Sequence, residues 1–165
     1  MNEQTVTGLA DLQKFLDALP AKMERNILRG AMRAGAKVQL ARAKELVPVE
    51  TAGPHPGALR DSLRIKISTR GSVVKASVTA GGKKAFWAIW VEFGTAAHFI
   101  KPKNRKSLFF AGIAREVINH PGAKRKPYMR PALDATVTAA VAAVGLYIRS
   151  RLTKEGIDVP GPENT

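Results

Sequence analysis

The 165-residue sequence contains no cysteine, only three histidines and few aromatic side chains, which make up 6% of the residues. Without cysteine the chain has no disulfide, thiolate zinc site, iron–sulfur cluster or cysteine nucleophile. His55 and His120 lie in Pro/Gly-rich segments, whereas His98 does not. No serine is flanked by the glycines of a nucleophile elbow. The sequence therefore gives no indication of a nucleophilic triad, and we expect no cofactor.

Acidic residues are also scarce: 13 Asp and Glu stand against 27 Lys and Arg, for a formal net charge of +14. Residues 51–130 hold 16 basic and three acidic side chains, so nearly the whole excess, +13, lies there. This concentration predicts a localised basic surface that faces DNA or an acidic partner. We expect the surface to include Arg60, Arg64, Lys101, Lys103, Arg105, Lys106, Lys124, Arg125 and Lys126.

The three acids of this middle region are Asp61, Glu92 and Glu116, which are far apart in sequence. Metal-dependent nucleases gather several carboxylates, so we predict neither a metal site nor catalytic residues. Glu92 lies in an aromatic stretch, where a carboxylate costs free energy unless it is paired. We expect it to form a structural ion pair with a Lys or Arg, since catalysis would need a second convergent group and none is apparent.

The sequence also lacks the features of a membrane or secreted protein. Its N-terminal residues do not combine a basic segment with an apolar run, and no stretch approaches the ~18 apolar residues of a membrane span. We therefore expect a protein that is made and used in a cytoplasm and does not contact a membrane.

Three segments have the periodicity of helices. Residues 7–19 form a short amphipathic pattern, and a longer pattern rich in Ala, Lys and Arg covers residues 21–47 and is stopped by Pro48. A final helix is predicted over residues 131–153, with a proline in its first turn. Its expected apolar face comprises Leu133, Val137, Val141, Val144 and Ile148.

A loop and a hairpin are predicted between the helices. Residues 48–58 contain three prolines and two glycines, which excludes a continuous helix or strand. Apolar and polar side chains alternate over residues 63–68 and again over residues 74–80, with Arg-Gly-Ser at 70–72 between them. This pattern predicts an antiparallel hairpin.

The order of the predicted elements favours an α+β fold, in which an antiparallel β-sheet packs against a long N-terminal helix and a C-terminal helix. We expect residues 1–155 to form a single domain and residues 156–165 a flexible C-terminal tail. Further strands are predicted at residues 98–101, 107–110 and 113–118.

Residues 85–95 form the densest apolar and aromatic stretch and contain both tryptophans. Periodicity does not separate strand from helix here, and we favour a short helix that ends at Gly94 in a left-handed cap. Clustered aromatic residues anchor a core or an interface more often than they stack on bases, although stacking on nucleic acid stays open. The expected core or interface anchors are Phe86, Trp87, Trp90, Val91, Phe93 and Tyr128.

Several short patterns occur in one order along the chain. Residues 87–95 read Trp-Ala-Ile-Trp-Val-Glu-Phe-Gly-Thr, and residues 57–63 upstream read Gly-Ala-Leu-Arg-Asp-Ser-Leu after the proline-rich loop. Downstream come His-Pro-Gly at 120–122 and Pro-Tyr-Met-Arg-Pro-Ala-Leu at 127–133. In this order they resemble the neck and tail-completion proteins of tailed bacteriophages, the minor tail or head–tail joining family. The motif residues that carry the resemblance include Glu92, Gly94, Thr95, His120, Pro121, Gly122, Pro127 and Pro131.

The resemblance implies a structural component of the virion neck, a homo-oligomer whose copies form a ring between the portal or connector and the tail tube. It implies no catalysis, assembly in the host cytoplasm, and contacts with the connector, the tail terminator and the tail tube. Non-specific contact with genomic DNA is left open. The alternative from the residues alone is a sequence-independent nucleic-acid-binding protein that uses its central basic surface. An enzyme that acts on DNA or cell wall is least supported.

Overall fold

The structure, a computed structural model, describes residues 21–51, 55–83, 85–103, 106–110 and 112–154. The helix predicted over residues 7–19 and the tail predicted over residues 156–165 lie outside these residues. The chain divides into two compact units. Unit 1 includes residues 21–42, 64–79 and 133–154, and unit 2 comprises residues 43–63 and 80–132. The prediction of one domain over residues 1–155 stays a prediction.

The α+β class predicted from the sequence is confirmed, with a long N-terminal helix, a long C-terminal helix and antiparallel strands between them. In the described residues the strands pair as three two-stranded ribbons. In chain order the elements are α1 (Ala21–Leu46), α2 (Ala58–Asp61), β1 (Arg64–Arg70), β2 (Val73–Thr79), α3 (Ala88–Phe93), β3 (His98–Ile100), β4 (Leu108–Phe110), β5 (Ile113–Arg115), β6 (Ile118–His120) and α4 (Met129–Lys154).

The core of unit 1 is the contact between α1 and α4. Ile27 and Ala31 of α1 are buried against Ile148 and Leu152 of α4. Burial of an Ile or Leu side chain stabilises a fold by about 1.5–3 kcal/mol. The long predicted helices therefore form as the periodicity indicates, because each can bury a row of side chains on the other.

Gly35 of α1 permits a close approach of α4. A Cβ atom at this position would lie 2.8 Å from Cγ2 of Val144 and 3.0 Å from the carbonyl oxygen of Ala140. Both distances are too short for an unstrained contact. The glycine is therefore required by packing rather than by its backbone angles.

The apolar face predicted for α4 is wrong in its first half. Leu133, Val137 and Val141 are each at least 44% exposed. The buried row of unit 1 on this helix instead contains Thr136, Ala140, Ile148 and Leu152. Residues four apart differ by about 40° around a helix axis, so a row of such residues winds slowly around the helix. The predicted apolar face and the buried row therefore coincide only toward the C-terminal end of α4, at Ile148. The close approach at Gly35 selects small Ala140 for the contact and leaves the larger valines outside.

Within the described part of the chain, α4 has the length and composition that a membrane-crossing helix needs. The sequence-based expectation that no stretch approaches a membrane span missed this helix, in which few charges stand among many alanines and valines. Core helices pass the same test, and α4 packs on α1 in unit 1. About a fifth of the stretch is buried, so the helix has apolar surface beyond what this core covers.

The hairpin predicted in unit 1 is confirmed. Strand β1 pairs antiparallel with β2 from Arg64 opposite Thr79 to Arg70 opposite Val73. Gly71, in the two-residue turn, has a φ of 59°, which matches the twist of such hairpins and is strained for other residues. Side chains along β1 alternate between exposed and half-buried, as the period-two pattern predicts.

Unit 2 contains two nested hairpins, which comprise strands β3 to β6. Strand β3 pairs with β6, and β4 pairs with β5 between them. The single strand predicted over residues 113–118 is thus two short strands, because each of its halves has a different partner. Unit 2 also contains α2, a four-residue helix that was not predicted, whose Leu59 is buried.

Two glycine substitutions are expected to act in opposite directions. Gly35→Ala should lower the free energy of unfolding by roughly 1–3 kcal/mol, because the added methyl group meets Val144 and the Ala140 carbonyl. Gly145→Ala in α4 should raise it by roughly 0.5–1 kcal/mol, because among the described residues nothing outside the helix's own backbone lies within 4 Å of its Cβ position and alanine favours helix. Urea unfolding followed by circular dichroism measures both. Stabilisation by both substitutions would contradict the close helix approach.

Candidate functional site

The carboxylate of Glu92 accepts three backbone hydrogen bonds. Its Oε2 accepts from the N–H of Tyr128 at 2.8 Å and of Met129 at 2.9 Å, and its Oε1 accepts from the N–H of Arg130 at 3.1 Å. These are donors that the first turn of α4 leaves without helical partners. The next residue, Pro131, has no N–H to satisfy. The first turn of the helix is therefore capped by a side chain that lies 36 positions earlier in the chain.

This cap explains why α4 begins at Met129 rather than at Pro131, where the sequence predicts its start. Pro131 still lies in the first turn, where its fixed φ suits a helix. The carbonyl of Tyr128 accepts the first helical bond, from the N–H of Ala132 at 3.2 Å. The acid supplies both hydrogen-bond acceptors and a negative charge at the positive end of the helix dipole.

The cap sets the ionisation of two groups. Burial raises the pKa of the Glu92 carboxyl. The hydrogen bonds from Met129, Tyr128 and Arg130 and the charge of Arg130 lower it by more than burial raises it. The pKa of Glu92 therefore lies below the ordinary 4.5. Burial and then the Glu92 charge raise the pKa of Tyr128 to about 12. The structural ion pair expected for Glu92 is thus mainly a set of backbone hydrogen bonds, with Arg130 contributing through its charge.

A second set of contacts joins the two motifs next to the cap. Thr95 and Ala123 exchange backbone hydrogen bonds of 3.0 and 3.1 Å, and the Thr95 hydroxyl accepts from the Ala123 N–H at 2.9 Å. A Cβ at Gly94 would lie 2.7 Å from the Ala123 carbonyl, and a Cβ at Gly122 would strike the Thr95 carbonyl. We name residues 92–95 together with residues 122–130 the clasp.

Both clasp glycines have positive φ angles, 75° at Gly94 and 86° at Gly122. Gly94 ends α3, as predicted, but its ψ of −178° places it outside the left-handed helical region. The predicted left-handed cap is therefore wrong in ψ. The extended ψ directs the chain into the bridge between Thr95 and Ala123 instead of closing the helix on itself.

The His-Pro-Gly motif connects the nested hairpins to the clasp. The N–H of Gly122 donates to Nδ1 of His120 at 3.0 Å, with exposed Pro121 between them. His120 also lies opposite His98 in the β3–β6 ribbon, with their ring centroids 5.0 Å apart. Pro127 is exposed and comes just before Tyr128 in the chain. The motif thus joins the His98–His120 end of the β3–β6 ribbon to the clasp.

The predicted anchor residues separate into three groups. Tyr128 is a core side chain that is 1% exposed. Trp87 and Val91 are half-buried and line a cleft of about 380 Å³, together with residues of the 48–59 loop region and Lys126. Phe86, Trp90 and Phe93 are 62%, 48% and 68% exposed.

The exposed group extends along one side of α3 and includes Ile89, which is also exposed and which the predicted anchor set missed. We name Phe86, Ile89, Trp90 and Phe93 the aromatic face. Phe86 meets Trp90 edge to face, with ring centroids 5.5 Å apart. Ile89, Trp90 and Phe93 follow Phe86 by three, four and seven residues, which is the spacing of one helix face. This spacing could have revealed Ile89 as part of the aromatic face.

The nested hairpins expose a further apolar group. Phe99, Phe109, Ile113 and Val117 are all exposed, Phe109 to 80%. Sequence reasoning interprets these strands as parts of a packed sheet and so misses the exposure of their side chains. The strands are three residues long and pair only in twos within the described residues, so they form no sheet face wide enough to cover them.

The predicted basic residues are exposed wherever the structure describes them. In unit 2, Lys101, Lys103 and Lys106 lie between β3 and β4, and Lys124, Arg125 and Lys126 belong to the clasp. The N–H of Lys126 donates to the Val91 carbonyl at 2.8 Å, which fixes this segment along α3. Arg60 is exposed in unit 2 and Arg64 in unit 1; Arg105 lies outside the described residues.

No three His, Asp or Glu side chains gather into a metal-binding group in the part of the chain that the structure describes. Glu92 has its oxygens occupied by backbone donors, and Glu116 is exposed on the nested hairpins. What the described geometry of unit 2 offers is a set of surfaces: the aromatic face, the apolar side chains of the nested hairpins and the exposed cations.

Glu92→Gln is expected to lower the free energy of unfolding at neutral pH by about 2–4 kcal/mol, because an amide presents one acceptor oxygen and no charge to three donors. The pKa of this carboxyl is lowered in the folded protein, so its stabilisation is complete above pH 4.5 and is lost as the pH falls through the lower folded value. The difference between wild type and variant should therefore shrink in acid. Urea unfolding of both proteins from about pH 3 to pH 7 measures it.

Glu116→Gln is the matched control, because Glu116 is an exposed carboxylate of the same unit. It should change the stability by no more than about 0.5 kcal/mol. Equal stability of the two variants, or a Glu92→Gln deficit that does not depend on pH, would be incompatible with the cap.

Comparison with known proteins gives one family. The family described as "Bacteriophage HK97-gp10, putative tail-component" matches residues 10–94, which are 85 of the 165 residues. The match includes α1, the β1–β2 hairpin and the whole of α3, and it ends at Gly94 in the clasp. The searches of curated proteins and of solved structures give no match. The resemblance noted in the motifs is thus confirmed at the level of the family, and the chain belongs to the HK97-gp10-like family of bacteriophage tail components.

Proposed function

We propose that this tail component is a structural protein of the virion neck, where its copies assemble in a ring between the portal or connector and the tail tube. In this role it catalyses no reaction. Its partners are the connector, the tail terminator and the tail tube, and it joins the particle in the host cytoplasm. The observation that carries the proposal is the aromatic face, which the clasp holds exposed on unit 2.

An exposed aromatic cluster favours a protein that works by contact. Single exposed apolar side chains are common, but contiguous ones mark interaction surfaces. Phe86, Trp90 and Phe93 are of the residue types that dominate binding energy at interfaces. Trp90 and Phe93 lie on α3 and Phe86 lies just before it, and hydrogen bonds on the other side of α3 fix its position, as a preformed contact surface requires.

The acids of this region support a role without catalysis. The oxygens of Glu92 accept three backbone hydrogen bonds, so they are not available to take a proton from a substrate. Glu116 is exposed and has no second carboxylate near it in sequence. The residues that distinguish the motifs thus act in capping and in chain packing.

Deletion of the gene from the phage or prophage that encodes this chain is expected to prevent head–tail joining. Lysates should contain DNA-filled heads and tails that remain separate in negative-stain images, and the infectious titre should fall to background. Supply of the wild-type protein in trans should restore joined particles. Normal joined virions in the absence of the protein would refute the neck role.

Complementation with variants separates assembly from folding. Trp90→Ala with Phe93→Ala removes exposed rings, so the protein should fold but fail to restore joining. Glu116→Gln should restore it fully. Restoration by the aromatic-face variant would mean that this face is not used in the particle.

The second candidate, sequence-independent binding of nucleic acid, is favoured by one observation. Lys101, Lys103 and Lys106 are exposed between β3 and β4, and Lys124, Arg125 and Lys126 are exposed in the clasp. Between residues 80 and 132 the acids are Glu92, which is buried, and Glu116. Such an excess of cations attracts phosphates of any sequence. A neck ring through which DNA passes could use the same groups.

Binding of the purified protein to duplex DNA tests this candidate. The affinity should fall steeply with salt, and replacement of Lys124, Arg125 and Lys126 by alanine should reduce the salt slope by up to about 3, roughly one for each phosphate contact. Micromolar or tighter binding at physiological salt would favour a nucleic-acid-binding role. Absence of binding even at low salt would exclude it.

A further inference from the structure

We propose that the nested hairpins of one copy pack on the aromatic face of the next copy around the ring. This inference rests on the proposed neck function and names the contact that would build the ring. The occupant of the aromatic face is thus a second copy of this chain, with Phe99, Phe109, Ile113 and Val117 as the inserted side chains.

Neither surface is covered by the part of its own chain that the structure describes. All four side chains of the aromatic face are exposed, and so are the four apolar side chains of the nested hairpins, although both groups belong to unit 2. Short two-stranded ribbons are marginally stable in water. The nested hairpins therefore gain the most from packing against another surface, and a rigid aromatic helix provides one.

The charges favour this pairing over contacts between like surfaces. Residues 98–120, which include the nested hairpins, contain five Lys and Arg and the single acid Glu116, so two copies of the nested hairpins would repel each other. None of the four side chains that form the aromatic face is charged, and the one acid of α3, Glu92, is buried. Aromatic ring faces attract Lys and Arg. The cations of the nested hairpins are thus attracted to the rings of the aromatic face, whereas two copies of the nested hairpins repel each other.

The geometry of the assembly also favours two different surfaces. A contact between identical patches closes at two copies, whereas a contact between different patches continues from copy to copy and gives a ring where the rotation closes. The eight side chains expose on the order of 100 Å² each, or roughly 800 Å² in total, which is enough for the apolar centre of a standard interface.

Cysteine crosslinking tests the contact, and the chain has no native cysteine to interfere. Ile89→Cys places a thiol in the aromatic face, and Ala114→Cys places one opposite Phe109 in the β4–β5 ribbon. Mixtures of the two single-cysteine proteins should give mainly the mixed dimer with a short bis-maleimide. Chains that carry both cysteines should give a ladder of oligomers. The reaction is run on the purified protein and on virions that contain the variants.

Two controls sharpen the result. Ser72→Cys, in the exposed turn between β1 and β2, should not crosslink to Ile89→Cys. Phe109→Ser, at a position that is 80% exposed, should lower the mixed-dimer yield at least about tenfold without loss of folding.

Three results would overturn the inference. Dimers of Ile89→Cys with itself would indicate a contact between like surfaces. Crosslinks of Ala114→Cys to another virion protein or to DNA would give the nested hairpins a different partner. Absence of the mixed crosslink in both purified protein and virions would exclude the contact altogether. In each case the gene-deletion phenotype still tests the neck role separately.

Discussion

The arrangement of unit 2 depends on one carboxylate that binds three backbone N–H groups. Glu92 satisfies the first donors of α4, and Pro131 removes the next donor, so the helix starts without an unpaired group among them. A buried donor left unpaired costs about 1–3 kcal/mol. One side chain therefore determines where a 26-residue helix begins and holds the buried Tyr128 next to it.

The same interaction decides which side of α3 faces outward. The inward side is Ala88 and Glu92, four residues apart, which is an unusual inner face because one member is charged. It is stable only because the carboxylate finds its donors there. With that side committed to the clasp, the large rings of Phe86, Trp90 and Phe93 have no place left except on the surface. The exposed aromatic face is thus a consequence of how the acid is satisfied.

The charged inner side and aromatic outer side of α3 mark the limit of what the sequence predicts. Helices α1 and α4 and the β1–β2 hairpin follow from periodicity and from Pro48 and Gly71, since their partners lie within the chain. Periodicity assumes that apolar side chains turn inward, so it fails at Leu133, Val137 and the nested hairpins. The partners of Glu92 are backbone groups 36 to 38 positions away, which have no residue signature. A lone acid in an aromatic helix and a proline at the start of another helix were the available signals.

Charge and aromatic surface act together in a protein that must assemble. Unit 2 contains 13 basic and five acidic residues, and the whole chain has a formal net charge of +14. A high net charge keeps copies apart in solution, which offsets the tendency of an exposed aromatic face to aggregate. Long-range attraction to an acidic partner or to DNA raises the rate of encounter, whereas the affinity depends on the rings that become buried. The excess of positive charge therefore slows association among free copies, and an acidic surface or DNA that neutralises it would speed their encounter.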